Sequence, residues 1–177
     1  DQLRIPPSKP TALDFFAGSG LVTEALKPFF KIVWANDIDD KKAAVFRANH
    51  AKKVLHVGPI EKISGVCLPY SSLSWASFPC QDLSLAGNLG GIKSGRSGLV
   101  WHWLRVMDEM RRKPPVVVAE NVFGLIGARA GQYYRDLHTA LVERGYRVGS
   151  IVIDAVHWVP QSRKRIFVIG VDSSIST

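Results

Sequence analysis

Apolar residues along this chain recur in two alternating patterns. Short runs rich in Val, Ile and Phe predict strands, and the stretches between them, with apolar residues every three or four positions, predict helices. The predicted strands cover residues 12–16, 32–36, 53–57, 73–78, 115–121, 147–156 and 165–171, and the predicted helices cover 21–30, 40–50, 99–112 and 132–144. The run "VVVA" is apolar on both faces, as in a parallel sheet covered by helices. We therefore predict a single α/β domain over residues 1–177 with a doubly wound, mostly parallel sheet.

The longest break in this pattern is the segment 80–98, "CQDLSLAGNLGGIKSGRSG", which contains five glycines. A loop of this length inside a compact domain is usually either functional or disordered. Its glycines and charges favour a segment that moves over a site, with plain disorder as the alternative.

Composition narrows the class of protein. The 177 residues are 46% hydrophobic, which suits one domain with a substantial core. No apolar stretch approaches the roughly 18 residues of a membrane helix, and "DQLRIPPSKP" has no signal-peptide core. Two cysteines, Cys67 and Cys80, are too few for a disulfide framework, and no zinc-ligand spacing is present. We therefore expect a cytoplasmic protein without a bound metal.

The charge balance is basic. Lys and Arg number 23 against 15 Asp and Glu, which gives a formal net charge of +8 and a pI near 9.7. Such a balance favours a polyanionic partner, nucleic acid first. A soluble protein that is merely basic remains the alternative from charge alone.

The segment "LDFFAGSGLVTEAL" places a strand, a glycine turn and a helix start in succession. Gly18 and Gly20 allow the backbone to approach a ligand closely, and the N–H groups at the helix start favour an anionic group. Asp37 ends the next predicted strand, where a carboxylate accepts hydrogen bonds from ribose hydroxyls. Thr23 occupies the position of the third glycine of the dinucleotide fingerprint, which disfavours a nicotinamide cofactor. An adenosyl cofactor fits, and a tight turn without a ligand remains the alternative.

Polar residues also follow the ends of later predicted strands, namely Cys80, Glu120, Gln161, Arg163 and Arg165. In an open α/β sheet, residues at the carboxyl ends of strands converge on one crevice. Each residue has a structural alternative, since Glu120 could cap a helix, the arginines could be a solvated patch and the thiol could be inert. Their joint occurrence in this order favours a site where a thiol and a carboxyl meet one substrate.

Five segments together resemble the catalytic domain of the DNA cytosine-5 methyltransferases. "DFFAGSG" is similar to the family's cofactor motif, and "SFPCQDLS" is similar to its catalytic-cysteine motif. "RSGLVWHWLRVM" with "PPVVVAENVFGL" resembles the next pair, and "VPQSRKRIFVIG" the arginine motif, so that the likeness spans residues 14–170. The resemblance implies a Rossmann-like, S-adenosylmethionine-dependent methyltransferase of bacterial or phage restriction-modification type. Its substrate would be carbon 5 of a flipped-out cytosine in double-stranded DNA.

The resemblance also implies a role for each catalytic residue. The thiolate of Cys80 would add to carbon 6 of cytosine, and Glu120 would hold the ring and protonate it at N3. Arg163 would contact the ring oxygen, and Arg165 would steady the site or a phosphate. Contacts to the nucleic acid would come from Gln81, Ser84, Arg96 and Gln161.

For the cofactor, the resemblance implies that S-adenosylmethionine binds and S-adenosylhomocysteine leaves. Phe16 would lie against one face of adenine, Ile38 would pack on the other, and Asp37 would accept hydrogen bonds from the ribose. The remaining cofactor contacts would come from Ala17, Gly18, Gly20, Ile60, Pro79 and Leu99.

Several residues depart from the family pattern. Pro59 occupies a position where the family usually has an Asp that contacts the adenine amino group, so we expect a lower cofactor affinity or a backbone carbonyl in that role. Asp154 replaces a commoner Asn, and Trp158 replaces a commoner Gly. His157 is expected to pack in a loop and not to act as a base.

After Val171 only "DSSIST" follows, so we expect this chain to carry neither a target-recognition domain nor the two late motifs of the family. A trimmed chain, one half of a split enzyme and part of a permuted enzyme all remain open. In each case a second chain or a missing segment would supply target recognition. We expect the 177 residues alone to be weak or inactive on duplex DNA.

Other functions remain as alternatives. A tRNA cytosine-5 methyltransferase shares the same motifs, but the Cys-Phe-Thr segment usual in that group is missing. A catalytically inactive module that binds nucleic acid or a protein partner would not need the intact catalytic residues. A nicotinamide oxidoreductase would explain the first half of the chain but would give "FPCQ" and "QSRKR" no function.

Overall fold

A computed structural model of the chain describes residues 8–79, 98–127 and 131–175. Within these ranges the strands are β1 (Thr11–Phe15), β2 (Lys31–Asp37), β3 (Leu55–Val57), β4 (Leu73–Ala76), β5 (Val116–Val122), β6 (Tyr146–Asp154) and β7 (Lys164–Asp172). The helices are α1 (Leu21–Leu26), α2 (Asp40–Asn49), α3 (Leu99–Glu109) and α4 (Gln132–Glu143). No helix in the described ranges is long and apolar enough to cross a membrane.

The seven described strands form one sheet in the order β3-β2-β1-β4-β5-β7-β6. The first five strands in this order run parallel, and β7 lies antiparallel between β5 and β6. The predicted α/β class with a doubly wound, mostly parallel sheet is confirmed. The chain order reverses between β1 and β4, and open α/β sheets bind ligands at the carboxyl ends of the strands at such a point.

Most elements lie where the sequence pattern predicts them, although several are shorter than predicted. Helix α1 ends at Leu26 and not at residue 30, because Pro28 has no N–H for the next helical hydrogen bond. Strand β3 begins at Leu55, because the residues Lys52–Val54 form a 3₁₀ turn. Strand β6 ends at Asp154, whose side chain accepts a hydrogen bond from the N–H two residues ahead and begins a turn.

Helix α3 packs on the central strands and forms the main core with them. Trp103 and Met107 of this helix are buried in the same cluster as Phe15 of β1. The indole Nε1 of Trp103 donates a hydrogen bond of 2.9 Å to the hydroxyl of Ser74 in β4, so the buried indole is satisfied. Replacement of a core Trp by Ala typically costs about 3–5 kcal/mol. This contact therefore fixes helix α3 relative to strand β4.

Candidate active site

A cavity of about 310 Å³ lies at the carboxyl ends of β1, β2 and β4, where the strand order reverses. Seven of the nine predicted cofactor residues line it, namely Phe16, Gly18, Asp37, Ile38, Ile60, Pro79 and Leu99. The other lining residues are Asn36, Asp39, Lys42, Gly58, Pro59 and Ser77. Its volume is at the lower end of the range of small-molecule sites, roughly 300–1,000 Å³.

Phe16 has a strained backbone at the edge of this cavity. Its φ is 59°, and among the described residues no other non-glycine side chain has a positive φ. For a bulky residue this conformation costs on the order of 1–3 kcal/mol. Hydrogen bonds of 2.9 Å from the Ala17 N–H to the Asn36 carbonyl and from the Gly20 N–H to the Ala17 carbonyl hold the turn. Strain of this kind persists mainly at functional sites, where it presents a side chain to a ligand. No sequence pattern indicated it.

The carboxylate of Asp37 joins the glycine turn to the cavity. Its Oδ2 accepts a hydrogen bond of 2.7 Å from the Gly18 N–H, and its Oδ1 accepts one of 2.9 Å from the Asp39 N–H. A carboxylate oxygen has two lone pairs, so each oxygen keeps one for a further donor. Asp37 therefore has two roles that the sequence did not separate, since it fixes the turn and also faces the cavity.

Ala17 and Gly20, the other two predicted cofactor residues, are not among the residues that line the cavity. The structure explains Gly20 by packing. A Cβ at this position would lie 2.4 Å from the His50 ring, and the φ of 93° is one that side chains rarely adopt. Ala17 is buried in the cluster that contains Phe46. Direct contact of Ala17 and Gly20 with a cofactor stays a prediction.

A buried acid lies behind the same turn. Asp14 of β1 is fully buried, and its Oδ2 accepts a hydrogen bond of 2.7 Å from the hydroxyl of Thr23 in α1. Among the described residues, its other oxygen has no hydrogen-bond partner. Burial raises the pKa of Asp14 from 3.8 to about 7, against a smaller opposing effect of the hydrogen bonds with Thr23. The fold therefore favours the neutral form of the acid that ties the first strand to the first helix.

Gly58 and Pro59 form the side of the cavity that follows β3. The side-chain amide of Asn36 donates hydrogen bonds of 2.9 Å to the carbonyls of His56 and Gly58, which fixes this segment against β2. Pro59 itself has an extended backbone, with φ −70° and ψ 139°. It offers neither a carboxylate nor an N–H to a ligand, as the sequence indicates. The Gly58 carbonyl is already used by Asn36, although a carbonyl oxygen has a second lone pair.

Glu120 and Arg165 form an ion pair on the neighbouring part of the sheet. Arg165 Nε lies 3.0 Å from Glu120 Oε1. The Glu120 side chain is 21% exposed and the Arg165 side chain is 19% exposed. The register explains the contact, because Glu120 pairs with Phe167 while Val122 pairs with Arg165. Residues two apart on a strand share a face, so the two side chains are diagonal neighbours. The antiparallel pairing of β5 with β7 brings this acid and this base together.

Asn121 joins the end of β5 to the segment that follows β4. Its buried amide donates a hydrogen bond of 2.9 Å to the Phe78 carbonyl, and its Oδ1 accepts one of 2.8 Å from the Val122 N–H. The loss of such a buried hydrogen bond leaves a polar group unsatisfied and costs about 1–3 kcal/mol. Asn121 thus sets the distance between Glu120 and the residues just before Pro79. Sequence reasoning assigned it no role.

The turn that carries Gln161 and Arg163 is held by Asp154. The carboxylate accepts hydrogen bonds from the Val156 N–H at 3.2 Å, the Ser162 hydroxyl at 2.9 Å and the Arg163 N–H at 2.7 Å. Burial alone would raise the pKa of Asp154, but these hydrogen bonds together outweigh it and the net direction is down. The side chains of Gln161 and Arg163 are exposed at this turn.

The remaining predicted residues lie outside the part of the chain that the structure describes. They are Cys80, Gln81, Ser84 and Arg96, together with the glycine-rich segment that contains them. Pro79, which precedes Cys80 in the sequence, lines the cavity. Among the described residues, no group of three His, Cys, Asp or Glu side chains is placed to hold a metal ion.

Comparison with known proteins gives consistent matches. A family model described as C-5 cytosine-specific DNA methylase matches residues 11–176. The chain is 31% identical over 160 residues to the type II methyltransferase M.Bsp6I of Bacillus sp. (strain RFL6), which covers 88% of this chain and 50% of that protein. It is 32% identical over 168 residues to M.NgoFVII of Neisseria gonorrhoeae, which covers 93% of this chain and 44% of that protein. The chain therefore spans about half the length, or less, of these relatives.

Solved structures give the same result for the fold. The Dnmt2 methyltransferase of S. pombe matches with a TM-score of 0.76 at 22% identity, over 96% of this chain and 53% of that chain. A putative DNA modification methyltransferase encoded in an E. coli prophage matches with a TM-score of 0.73 at 21% identity, over 95% of this chain and 49% of that chain. These likenesses confirm the predicted Rossmann-like methyltransferase fold.

Proposed function

The chain belongs to the C-5 cytosine-specific DNA methylase family, and from that premise we propose that it transfers a methyl group from S-adenosylmethionine to carbon 5 of cytosine in DNA. One observation carries the proposal. The cavity beside β1 and β2 and the Glu120–Arg165 pair on β5 and β7 lie at the same end of the sheet. Strand β4 lies between them and leads to Pro79, the residue before Cys80.

The cavity residues fit an adenosyl cofactor. The strained Phe16 offers an aromatic face to adenine, and Ile38, which is exposed at the rim, offers an apolar surface opposite. The two free lone pairs on Asp37 match the two hydroxyls of a ribose. Bound S-adenosylmethionine would supply an electrophilic methyl group. Because Pro59 supplies no carboxylate, we expect the binding to be weaker than with an acid at that position.

The proposed chemistry uses the protein's own residues for activation. Carbon 5 of cytosine is a weak nucleophile until the ring is activated. The thiolate of Cys80 forms a bond to carbon 6 while Glu120, protonated when the base binds, delivers its proton to N3, so that no net negative charge develops on the ring. Carbon 5 of the resulting enamine then takes the methyl group. S-adenosylhomocysteine would leave as the thioether product. Loss of the carbon 5 proton to water, return of the N3 proton to Glu120 and release of the thiolate then restore the aromatic ring.

The described contacts suggest how the reacting groups would be positioned. Arg165 fixes the orientation of the Glu120 carboxyl group through their ion pair, and Arg163 would contact the ring oxygen of the base. Pro79, which precedes the proposed nucleophile in the sequence, lies after the end of β4 and lines the cavity. Asn121 holds that strand end to β5. The base must leave the duplex to reach these groups.

Calorimetric titration with S-adenosylhomocysteine tests the cofactor half. Replacement Phe16→Ala should weaken binding at least about 5-fold, because it removes an aromatic contact worth roughly 1 kcal/mol. Phe29→Ala is the matched control, since Phe29 is 69% exposed and is not among the residues that line the cavity. No binding by the unaltered protein, or an equal loss in both variants, would contradict the proposed cofactor site.

Transfer of tritiated methyl groups tests the choice of substrate. The protein is incubated in stoichiometric amounts with duplex DNA or with tRNA, because we expect a low rate from these residues alone. Label in DNA that depends on Cys80 supports the proposal. Label in tRNA alone would refute DNA as the substrate and would favour the tRNA methyltransferase alternative.

A further inference from the structure

The turn between β6 and β7 presents an indole to solvent. Trp158 is 73% exposed, and its ring meets the His157 ring edge-on, with centroids 5.7 Å apart. Val156 and Val159 on the same turn are 52% and 46% exposed. Single exposed apolar residues are ordinary, but three on one turn form a patch that favours an interaction site.

This exposure belongs to an ordered turn. Asp154 accepts three hydrogen bonds from the turn, as described above, and the Trp158 N–H donates to the Ala155 carbonyl at 2.9 Å. The Gln161 N–H donates to the Val159 carbonyl at 2.7 Å. These bonds order the backbone that carries the indole, so less backbone entropy is lost when a partner binds.

The charge around the turn favours a polyanion. The sequence has no acidic residue from Ala155 to Val171, while Arg163 and Lys164 are exposed. The carboxylate of Asp154 is occupied by its hydrogen-bond donors, and Glu120 is paired with Arg165. Exposed aromatic rings beside cations are the combination that binds unpaired nucleobases, since each base has a π-face and each phosphate a charge.

The position of the turn connects it to the proposed reaction. Lys164 pairs with Asp154 and Arg165 with Ile153 in the antiparallel ladder, so the turn ends beside the arginine that contacts Glu120. We propose that Trp158 stacks on an unpaired nucleobase of the nucleic-acid substrate at the rim of the active site, while Lys164 contacts an adjoining phosphate. This inference rests on the proposed function, because it takes the substrate to be a nucleic acid.

Fluorescence anisotropy with a labelled 12-nucleotide single strand tests the stacking. A second strand carries the same backbone with abasic nucleotides at every position. Trp158→Ala should weaken binding to the strand with bases roughly 5- to 150-fold, Trp158→Phe should lose less, and neither should change binding to the abasic strand. Phe29→Ala, which removes an exposed aromatic residue outside the turn, should leave both affinities within about 2-fold. Lys164→Ala should weaken binding to both strands, because phosphate contacts do not depend on bases.

Several results would overturn the inference. These are no binding of either strand by the unaltered protein, no loss in Trp158→Ala, or an equal loss on both strands. The same holds if Trp158→Ala leaves nucleic-acid affinity intact but abolishes a dimer seen by gel filtration, since the indole would then cover a protein surface.

The proposed function can fail separately. Covalent trapping of the same protein variants on DNA that contains 5-fluorocytosine, with S-adenosylmethionine present, reports on Cys80. Adduct formation at an unchanged rate and affinity in Trp158→Ala would refute the stacking and leave the proposed function standing. Base-dependent binding through Trp158 without any adduct in the unaltered protein would support the stacking and refute the proposed methyl transfer.

Discussion

The buried acid beneath the glycine turn gives a prediction with a calculable size. Asp14→Asn removes an ionisable group that is fully buried and bonded to the Thr23 hydroxyl. An asparagine oxygen keeps that hydrogen bond. Its NH₂ group, however, replaces the oxygen that has no partner among the described residues, so the variant buries an unsatisfied donor. That donor costs about 1–3 kcal/mol at every pH.

In the unaltered protein, ionisation of Asp14 lowers the free energy of unfolding by an amount that depends on pH. The pKa of Asp14 is about 7 in the folded chain against 3.8 for the free side chain, so the fold favours the protonated acid. The free energy of unfolding therefore falls as the pH rises from about 4 to 7 and is constant above that. With 1.36 kcal/mol per pKa unit, the full effect is about 4 kcal/mol, of which about 2–3 kcal/mol falls between pH 5 and pH 8.

Urea unfolding at pH 5, 6.5 and 8 measures this dependence. The difference between the two proteins cancels the titration of all other groups. We expect Asp14→Asn to be less stable at pH 5 and to gain about 2–3 kcal/mol relative to the unaltered protein by pH 8. Asp40→Asn, at an exposed position in the first turn of α2, is the control and should differ little in stability from the unaltered protein. A pH-independent difference for Asp14→Asn would refute the reasoning.

Three further substitutions test the supports of the site. Gly20→Ala should destabilise the protein by about 2–4 kcal/mol, measured as a lower Tm, because the new Cβ would clash with the His50 ring and the positive φ is unfavourable. Gly149→Ala is the control and should change the Tm little, since no neighbouring atom lies within 4 Å of the added Cβ. Asn121→Ala should cost about 1–3 kcal/mol of unfolding free energy, and an unchanged urea midpoint would contradict the proposed link between β4 and β5. Asp154→Ala should lower nucleic-acid affinity and any methyl transfer at least about 5-fold, because the turn loses the hydrogen bonds that hold it. Asp154→Asn should retain most of the affinity and of the methyl transfer. Equal losses in the two variants would count against a role of Asp154 as a hydrogen-bond acceptor.

The sequence predicted the parts of the fold that follow from hydrophobic pattern. Runs such as "VVVA" indicated buried strands, and the glycine turn before α1 indicated where a ligand site begins. The antiparallel direction of β7 was not predicted, because the apolar pattern of a strand does not report its direction. The Glu120–Arg165 contact depends on that direction and on the register between β5 and β7, so no motif spacing could have given it.

The site residues also divide into those that a sequence motif identified and those whose role depends on tertiary packing. Phe16, Asp37 and Ile60 were identified by their motifs and do line the cavity. The positive φ of Phe16 and the fully buried Asp14 arise from tertiary packing, which overrides local preference. Contact of Gly20 with a cofactor stays a prediction, and the crowding by the His50 ring adds a packing role that only the structure reveals.

The most direct test of the central claim is covalent trapping on a duplex that carries 5-fluorocytosine at many positions. Fluorine at carbon 5 cannot leave as a proton does, so a single round of methyl transfer leaves the protein attached to the DNA. With S-adenosylmethionine present, we predict a denaturation-resistant protein–DNA band that is absent in Cys80→Ser and forms on the order of 100-fold more slowly in Glu120→Gln. A protein that binds S-adenosylhomocysteine but gives no such band, or a band that persists in Cys80→Ser, would contradict the account.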